Sequence, residues 1–338
     1  MTLLEGFYYI GYLIKKHRAL KHQKRLSCRV ISIGNITVGG TGKTPATIAI
    51  AEEAKKLGFI PNILTRGYKG KTKGPCFVSK GDGPLLSEED AGDEPMLMAD
   101  RLEGVPVIKG EKRYEAGMFA LSSLPSALHP DIFILDDGFQ HWNLFRDKDI
   151  LLIDGTNPFG NRKLLPLGPL REPLSAIGRA DIIVLTRTDK GSSLGSEVDG
   201  LMKEIRDFNT KASVFFAEHM PSKFIKVSGD IFPLEWAKEK RFFGFSGIGN
   251  PASFKDTLLS AGVDLRGFKS YRDHYSYNSR DIEKIIEDSK KSNADWIVTT
   301  EKDIMRLRVL NIPANLVALS IEFIVSEGFY NEVFNFRF

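Results

Sequence analysis

Residues 30–55 restrict the possible folds of this chain more than any other part of its sequence. A short apolar run, 30–33, ends at Gly34, and a glycine-rich segment, 37–45, leads into residues 46–55, where apolar and charged residues alternate at helical spacing. This order predicts a strand, a glycine loop and a helix. Backbone N–H groups of such a loop converge on phosphate oxygens, and the helix N-terminus adds a partial positive charge. We therefore predict a phosphate-binding loop.

The loop also carries side chains suited to a nucleoside triphosphate with Mg²⁺. Lys43 can reach the β- and γ-phosphates, and the hydroxyl of Thr44 suits the metal. Thr37 stands where the generic motif has its first glycine, so the loop departs from the consensus. The alternative is a glycine-rich turn that binds nothing. The candidate nucleotide-binding residues are consecutive: Gly39, Gly40, Thr41, Gly42, Lys43 and Thr44.

Length and charge set the class of protein. A chain of 338 residues predicts about two domains, and 42% hydrophobic and 27% charged residues are ordinary for a globular protein. The first 30 residues hold seven basic residues against one acid, so the rest of this +4 chain is net negative. We expect no nucleic-acid partner, and the oligomeric state is left open. Cys28 and Cys76 lack metal-ligand spacing and indicate a reducing compartment.

The N-terminus combines an apolar segment with a basic one. Residues 1–14 are apolar and aromatic apart from Glu5, and the basic cluster 15–25 follows. Fourteen helical residues cover about 21 Å, which is too short for a hydrocarbon core of about 30 Å. A signal peptide is disfavoured, because its charges would come first. Two interpretations remain: a helix lying in the interface of an anionic membrane, or an amphipathic helix packed on the core.

Continuous apolar runs predict a parallel sheet covered by helices on both faces. Such runs occupy 60–64, 105–108, 132–135, 150–153, 182–185 and 214–217. The first domain is therefore predicted to be α/β. The run 132–135 closes on Asp136, a pattern that supplies a Mg²⁺ ligand beside a phosphate loop.

Three further segments are a helix start at Asp93, a proline-rich loop and a linker. Asp93, two residues before Pro95, is most simply a helix cap. The proline-rich loop 157–173 either binds a ligand or is a surface connection with Arg171 and Glu172 paired. Residues 224–227 and 231–234 are predicted to be two short strands of a linker, after which a second α/β unit begins at 241.

Seven motifs occur in one order along the chain, at 38–45, 65–68, 92–95, 136–141, 168–173, 272–274 and 300–303. Together they closely resemble the tetraacyldisaccharide 4'-kinase family of lipid A biosynthesis, which also lacks the generic first glycine. The resemblance ends near residue 303, and the remaining residues carry no matching motif.

This resemblance implies transfer of the γ-phosphoryl group of ATP to the 4'-hydroxyl of a lipid-linked, 1-phosphorylated glucosamine disaccharide, giving lipid IVA. It implies a peripheral protein on the cytoplasmic face of the bacterial inner membrane. The implied fold is a P-loop NTPase-like α/β/α sandwich with a second, smaller α/β domain, a two-stranded linker and an active site in the cleft. We predict the boundaries 1–25 (basic membrane-association helix), 26–222 (kinase domain), 223–235 (linker) and 236–338 (C-terminal domain).

The resemblance also assigns roles to residues. Lys43 and Thr44 would hold phosphates and Mg²⁺, and Asp93 would be the general base, supported by His274. A carboxylate with a pKa of about 4 is a weak base toward a sugar hydroxyl, so a partner that shares the proton is chemically sensible. This role replaces the capping role for Asp93. The implied metal shell adds Asp136, Gln140 and Glu172, and the implied substrate contacts are Tyr68, Asp137, His141 and Arg171.

Two other classes of protein share parts of this pattern. Membrane-associated, partner-sorting ATPases have a similar loop, but with a lysine where this chain has Val38. A GTPase is suggested by residues 186–189, but Arg187 stands in place of the expected lysine. Both alternatives leave the motifs at 92–95 and 272–274 unexplained.

Overall fold

The computed structural model describes residues 2–68, 70–188 and 194–336, and Asp189 of the GTPase-like motif lies outside them. The chain forms two compact units. The first unit contains Met1–Ala91, Met98–His219 and Phe323–Phe338, and the second contains Gly92–Leu97 and Met220–Glu322.

A largely parallel sheet forms the centre of the first unit. Its order is β3-β4-β2-β5-β1-β6-β7-β8, and β3 alone among these strands is antiparallel to its neighbour. The predicted α/β class is confirmed. The strands are β1 (Arg29–Gly34), β2 (Pro61–Thr65), β3 (Cys76–Ser79), β4 (Val107–Lys109), β5 (Ile132–Leu135), β6 (Lys148–Asp154), β7 (Ile182–Thr186) and the first part of β8 (Ser213–Ile225).

Helices cover this sheet, which is why its strands are apolar on both faces. Strands β2, β5 and β7 are buried along their whole length. The helices are α1 (Leu3–Lys21), α2 (Lys43–Lys56), α3 (Glu88–Ala91), the end of α4 (Asp93–Arg101), α5 (Arg113–Ser123), α6 (Leu194–Phe208) and α10 (Phe329–Phe334). A 3₁₀ segment, Leu174–Arg179, follows the loop that carries Arg171 and Glu172.

Helix α1 extends beyond its apolar segment into the basic cluster, and its N-terminus is capped. The Thr2 side chain accepts from the backbone N–H of Glu5, and the Glu5 carboxylate accepts from the Thr2 N–H, which forms a capping box. Of the helices described, none combines the length and apolar character needed to cross a bilayer.

The second unit is built on four parallel strands in the order β11-β10-β12-β13. They are β10 (Arg241–Ser246), β11 (Asp264–Ser270), β12 (Trp296–Thr300) and β13 (Leu316–Val325), the last of which ends in the first unit. Its helices are the start of α4, α7 (Pro251–Ser260), α8 (Ser279–Lys291) and α9 (Glu301–Leu307). The predicted two-stranded segment is present, since β9 (Ile231–Pro233) pairs antiparallel with the end of β8.

The compact units divide the chain differently from the predicted boundaries. The segment 92–97 belongs with the second unit, where Asp93 forms its ion pairs. The last residues, Phe323–Phe338, return to the first unit, where Phe329 is buried against Phe215 and Phe334 stacks on Phe59. The C-terminal segment carries no motif, and its aromatic side chains pack on the first unit.

Candidate active site

The phosphate-binding loop has the backbone geometry that its sequence predicts. Gly39 and Gly42 have φ angles of 119° and 85°, in the left-handed region that favours glycine. Gly42 precedes α2 without a side-chain cap, so the first N–H groups of that helix are available to an anion. A Cβ on Gly42 would lie 2.1 Å from Nε2 of His219, so a side chain at this position would displace that imidazole as well as strain the backbone.

Lys43 and Asp137 meet at this loop. The Lys43 Nζ lies 3.5 Å from the Gly39 carbonyl oxygen and 3.7 Å from a carboxylate oxygen of Asp137. Arg171 donates to Asp137 at 2.9 Å. Burial raises the pKa of Asp137, but Lys43 and Arg171 outweigh it and hold that pKa below its usual value. Asp137 is therefore an ionised carboxylate between two cations.

Asp136 lies one residue earlier, directly after β5, and is buried. Its two carboxylate oxygens accept from the hydroxyls of Thr47 and Thr65, at 3.4 Å and 3.1 Å. The carboxylate is thus oriented by one residue of α2 and one of β2. Thr44, also in α2, is buried as well.

These donors fit a Mg²⁺ ion that arrives with a nucleotide. Among the described residues no group of three or more His, Cys, Asp or Glu side chains could hold a metal. Mg²⁺ in kinase sites needs only one or two carboxylates, with phosphate oxygens and water completing the octahedron. The Thr44 hydroxyl and the Asp136 carboxylate are the groups that would form such a partial set.

Glu172 is bonded differently from a metal ligand. Its carboxylate is fully buried, and Arg179 donates to both of its oxygens at 2.6 Å. Gln140 donates at 2.7 Å and the Tyr12 hydroxyl at 3.2 Å. Each Glu172 oxygen therefore accepts from two donors, which uses both of its lone pairs. The structure brings Gln140 and Glu172 together, as an organising pair rather than as open ligands.

Arg113 is a buried residue that the sequence analysis missed. Its guanidinium donates to the carbonyl oxygens of Gly110 and Asp136, at 2.9 Å and 3.2 Å, and its backbone N–H donates to Nε2 of His141 at 3.3 Å. Burial lowers the pKa of Arg113 to about 10. No motif in the sequence marks this residue.

His141 is a neutral imidazole in this environment. Burial and the nearby cation of Arg113 lower its pKa to about 3. Since Nε2 accepts from Arg113, the ring proton lies on Nδ1. Tyr68, the other aromatic predicted at the substrate site, lies in the loop after β2 and is 56% exposed.

Asp93 and His274, predicted to act together, are neighbours in the second unit. Asp93 opens α4, and its Oδ2 lies 3.1 Å from Nδ1 of His274. The other oxygen, Oδ1, accepts from the Glu94 N–H at 3.0 Å. Burial raises the pKa of Asp93, but His274 and Arg306 outweigh it and hold that pKa well below the usual range. The hydrogen bond to Asp93 raises the pKa of His274.

Comparisons with known proteins agree with the sequence motifs. The family model described as tetraacyldisaccharide-1-P 4'-kinase matches residues 2–335. The tetraacyldisaccharide 4'-kinase of Syntrophus aciditrophicus is 40% identical over 328 residues, which cover 93% of this chain and 86% of the relative. That of Pelobacter propionicus is 38% identical over 315 residues, covering 91% and 83%.

A solved structure is similar over nearly the whole chain. The crystal structure of LpxK from Aquifex aeolicus in complex with ATP matches with a TM-score of 0.79 and 32% identity, covering 99% of this chain and 98% of that one.

The depressed pKa of His141 predicts a pH dependence of stability. Between its folded pKa of about 3 and its ordinary value of 6.5, the unfolded chain binds more protons than the folded one. This group therefore leaves stability unchanged above pH 6.5 and destabilises the fold as the pH falls below it. Part of the decrease in the free energy of unfolding between pH 7 and pH 5 therefore comes from His141. Replacing His141 by Gln, which keeps an acceptor, should make that decrease about 1–2 kcal/mol smaller.

Urea unfolding at the two pH values measures this difference. His17→Gln, an exposed histidine of α1, is the matched control and should keep the wild-type loss. An equal loss in His141→Gln and wild type would mean that His141 binds a proton in the folded protein.

Proposed function

The chain belongs to the tetraacyldisaccharide 4'-kinase family, and on that premise we propose which of its residues carry out the reaction. The activity is ATP-dependent phosphorylation of the tetraacyldisaccharide 1-phosphate in lipid A biosynthesis. The observation that carries the residue assignment is the pairing of Asp93 with His274 in one unit, and of Lys43 with Asp137 in the other.

In this proposal the phosphate loop holds the triphosphate. The N–H groups at the start of α2 bind phosphate oxygens, and the Lys43 ammonium stabilises charge on the transferred phosphoryl group. Asp137 pairs with both Lys43 and Arg171, and so keeps the two cations next to each other. In this proposal Arg171 binds a phosphate of the acceptor. When bound, Mg²⁺ neutralises charge on the β- and γ-phosphates. The Thr44 hydroxyl and the Asp136 carboxylate are the residues that would hold it.

The Asp93–His274 pair accepts the proton of the acceptor hydroxyl. The 4'-oxygen forms a bond to the γ-phosphorus while the bond from that phosphorus to the bridging oxygen of ATP breaks, and the hydroxyl proton passes to the pair. An isolated carboxylate of such low pKa is a weak base. The hydrogen-bonded histidine supports it, because the imidazole shares the proton that arrives.

The first experiment tests the function and the loop together. Purified protein is incubated with Mg·[γ-³²P]ATP and a panel of acceptors, and label is expected on the tetraacyldisaccharide 1-phosphate. Lys43→Ala should lower kcat by about 10³-fold or more while the thermal transition is kept, because a preorganised cation facing developing charge is lost.

Lys56→Ala is the matched control, since Lys56 lies exposed at the end of the same helix. It should keep the wild-type rate. Full turnover in Lys43→Ala would remove that lysine from the mechanism, and ATP hydrolysis without transfer would favour a partner-sorting ATPase.

A second experiment tests the base. Asp93→Asn and His274→Ala should each lower kcat by about 10²–10⁴-fold. The double variant should lose much less than the product of the two, since residues that act as a unit are not additive. Nucleotide affinity, measured by equilibrium binding, should hardly change.

Asp264→Asn, an exposed carboxylate of the second unit, is the control and should be neutral. Multiplicative losses would separate the two residues mechanistically and leave His274 in substrate positioning. A full-rate Asp93→Asn enzyme would return this aspartate to a capping role.

The finer location of the protein is also proposed: the cytoplasmic face of the inner membrane, with α1 lying in the lipid interface. One face of this helix packs inward through Glu5, Tyr12 and Ala19. The other face carries a continuous row of exposed apolar side chains, followed by the basic cluster 15–25. That row, the apolar stripe, consists of Leu3, Leu4, Phe7, Ile10, Leu13 and Ile14.

In this proposal each interpretation of the N-terminus describes one face of α1. The inward face is bonded to the proline-rich loop 157–173, because the Tyr8 hydroxyl donates to the Arg171 carbonyl at 2.9 Å and the Tyr12 hydroxyl to Glu172. The outward stripe suits acyl chains, and the adjacent lysines suit anionic headgroups. The lipid acceptor would reach Arg171 from the membrane along this helix.

Vesicle co-sedimentation tests the stripe. The double variant Phe7→Glu/Ile10→Glu should bind vesicles of anionic phospholipid at least about 10-fold more weakly, since burying each such side chain contributes about 1.5–3 kcal/mol. Binding of the wild-type chain should weaken with salt. Leu57→Glu changes an equally exposed leucine at the end of α2 and should bind as the wild type does. Equal binding by the double variant would make α1 purely structural.

A further inference from the structure

Arg306, in α9, connects the Asp93–His274 pair to the interior of the second unit. Its side chain is only 4% exposed. Nη2 donates to Oδ2 of Asp93, and Nη1 donates to the Gly247 carbonyl oxygen at 2.9 Å and to Oδ1 of Asp303 at 3.0 Å. The two ends of one planar guanidinium therefore bind two different carboxylates.

Asp303 fixes the inner end of this guanidinium. Its carboxylate is fully buried and accepts from the Gly247 N–H at 3.1 Å and the Thr300 hydroxyl at 2.7 Å. The Tyr277 hydroxyl donates to it at 2.9 Å. Thr300 is also the N-cap of α9, so the helix that carries Arg306 starts at this carboxylate. The inner end of the guanidinium is therefore held by buried, hydrogen-bonded partners.

The outer end of the guanidinium shares an oxygen with the imidazole. Oδ2 of Asp93 accepts from Arg306 and lies 3.1 Å from Nδ1 of His274, while Nη2 and Nδ1 are 3.4 Å apart. Arg306 and His274 therefore meet at the same oxygen of Asp93. A buried carboxylate without this cation would resist ionisation, because burial disfavours its charged form.

We propose that Arg306 is a positioning residue for phosphoryl transfer, which holds the Asp93 carboxylate ionised and turned toward His274. The inference rests on the proposed role of that pair as the base. Arg306 acts through Asp93 and is assigned no contact with the acceptor. Neither the sequence motifs nor the predicted site residues include it.

The charges around the pair determine what its removal does. Besides Arg306, Asp93 faces Lys302 and His274, while His274 also faces Asp273, whose carboxylate lies 3.9 Å from Nε2. Arg306 lowers the pKa of both Asp93 and His274. Loss of its charge raises both pKa values, so the base stays protonated up to a higher pH.

The experiment is a pH profile of kcat/KM with saturating Mg·ATP. In Arg306→Gln the acidic limb should move upward by about one pH unit or more, and kcat/KM at pH 7 should fall by about 10–100-fold, with partial recovery at high pH. Arg306→Lys keeps the charge but loses the fork that joins Asp93 to Asp303. Its limb should stay in place while kcat falls.

Arg266→Gln, the same change at an exposed arginine of the second unit, should leave the profile unchanged. An Arg306→Gln enzyme whose loss is uniform over pH, with the limb where the wild type has it, would make Arg306 merely structural. If Arg306→Gln lacks a cooperative thermal transition, Arg306→Lys decides: a limb that moves, or a kcat that does not fall, overturns the proposal.

The Asp93→Asn enzyme distinguishes a failure of the role proposed for Arg306 from a failure of the base assignment. A full-rate Asp93→Asn enzyme defeats the base assignment and the role of Arg306 with it. An impaired Asp93→Asn enzyme beside an unshifted Arg306→Gln profile leaves the base in place and defeats only the role of Arg306.

Discussion

The hydrogen bonds of the buried Glu172 carboxylate are the interactions on which the candidate active site of the first unit depends. It has no exposed surface and is bonded by Arg179, Gln140 and Tyr12, from three separate parts of the chain. A buried charge is stable only when all its lone pairs are satisfied, and removing one partner costs about 3–5 kcal/mol. This group therefore ties together the proline-rich loop 157–173, the turn after β5 and helix α1.

The second unit also contains buried carboxylates whose oxygens accept from an arginine. Asp93 and Asp303 are both buried, and one arginine, Arg306, donates to both of them. The planar fork of a guanidinium suits this task, because its donors are fixed relative to one another. The position of the proposed base, Asp93, thus depends on Arg306 and Asp303 in the interior of the unit. This arrangement leaves His274, at the edge of the cluster, as the group whose charge can change.

Residues close in sequence were predicted well, and distant partners were not. The loop at Gly42-Lys43-Thr44, the buried strands and the α/β class follow from local spacing and apolar runs, whose physical causes act within a few residues. Arg179 and Arg306 were missed, since arginines at ordinary helical positions carry no pattern. Arg306 lies 213 residues from Asp93 in the chain, so only folding shows that they are partners. The resemblance to a family supplied His274, which spacing alone would not have selected.

The sequence by itself determined the phosphate loop, the parallel sheet, the amphipathic and basic N-terminus and the family. Each depends on backbone geometry or periodicity that a short segment carries on its own. Only the tertiary structure decided that Glu172 is saturated by donors, that Asp93 belongs with the second unit and that the C-terminal residues return to the first. The reason is that burial and ion pairing are properties of neighbours in space. Their free energy depends on which charges meet once water is excluded.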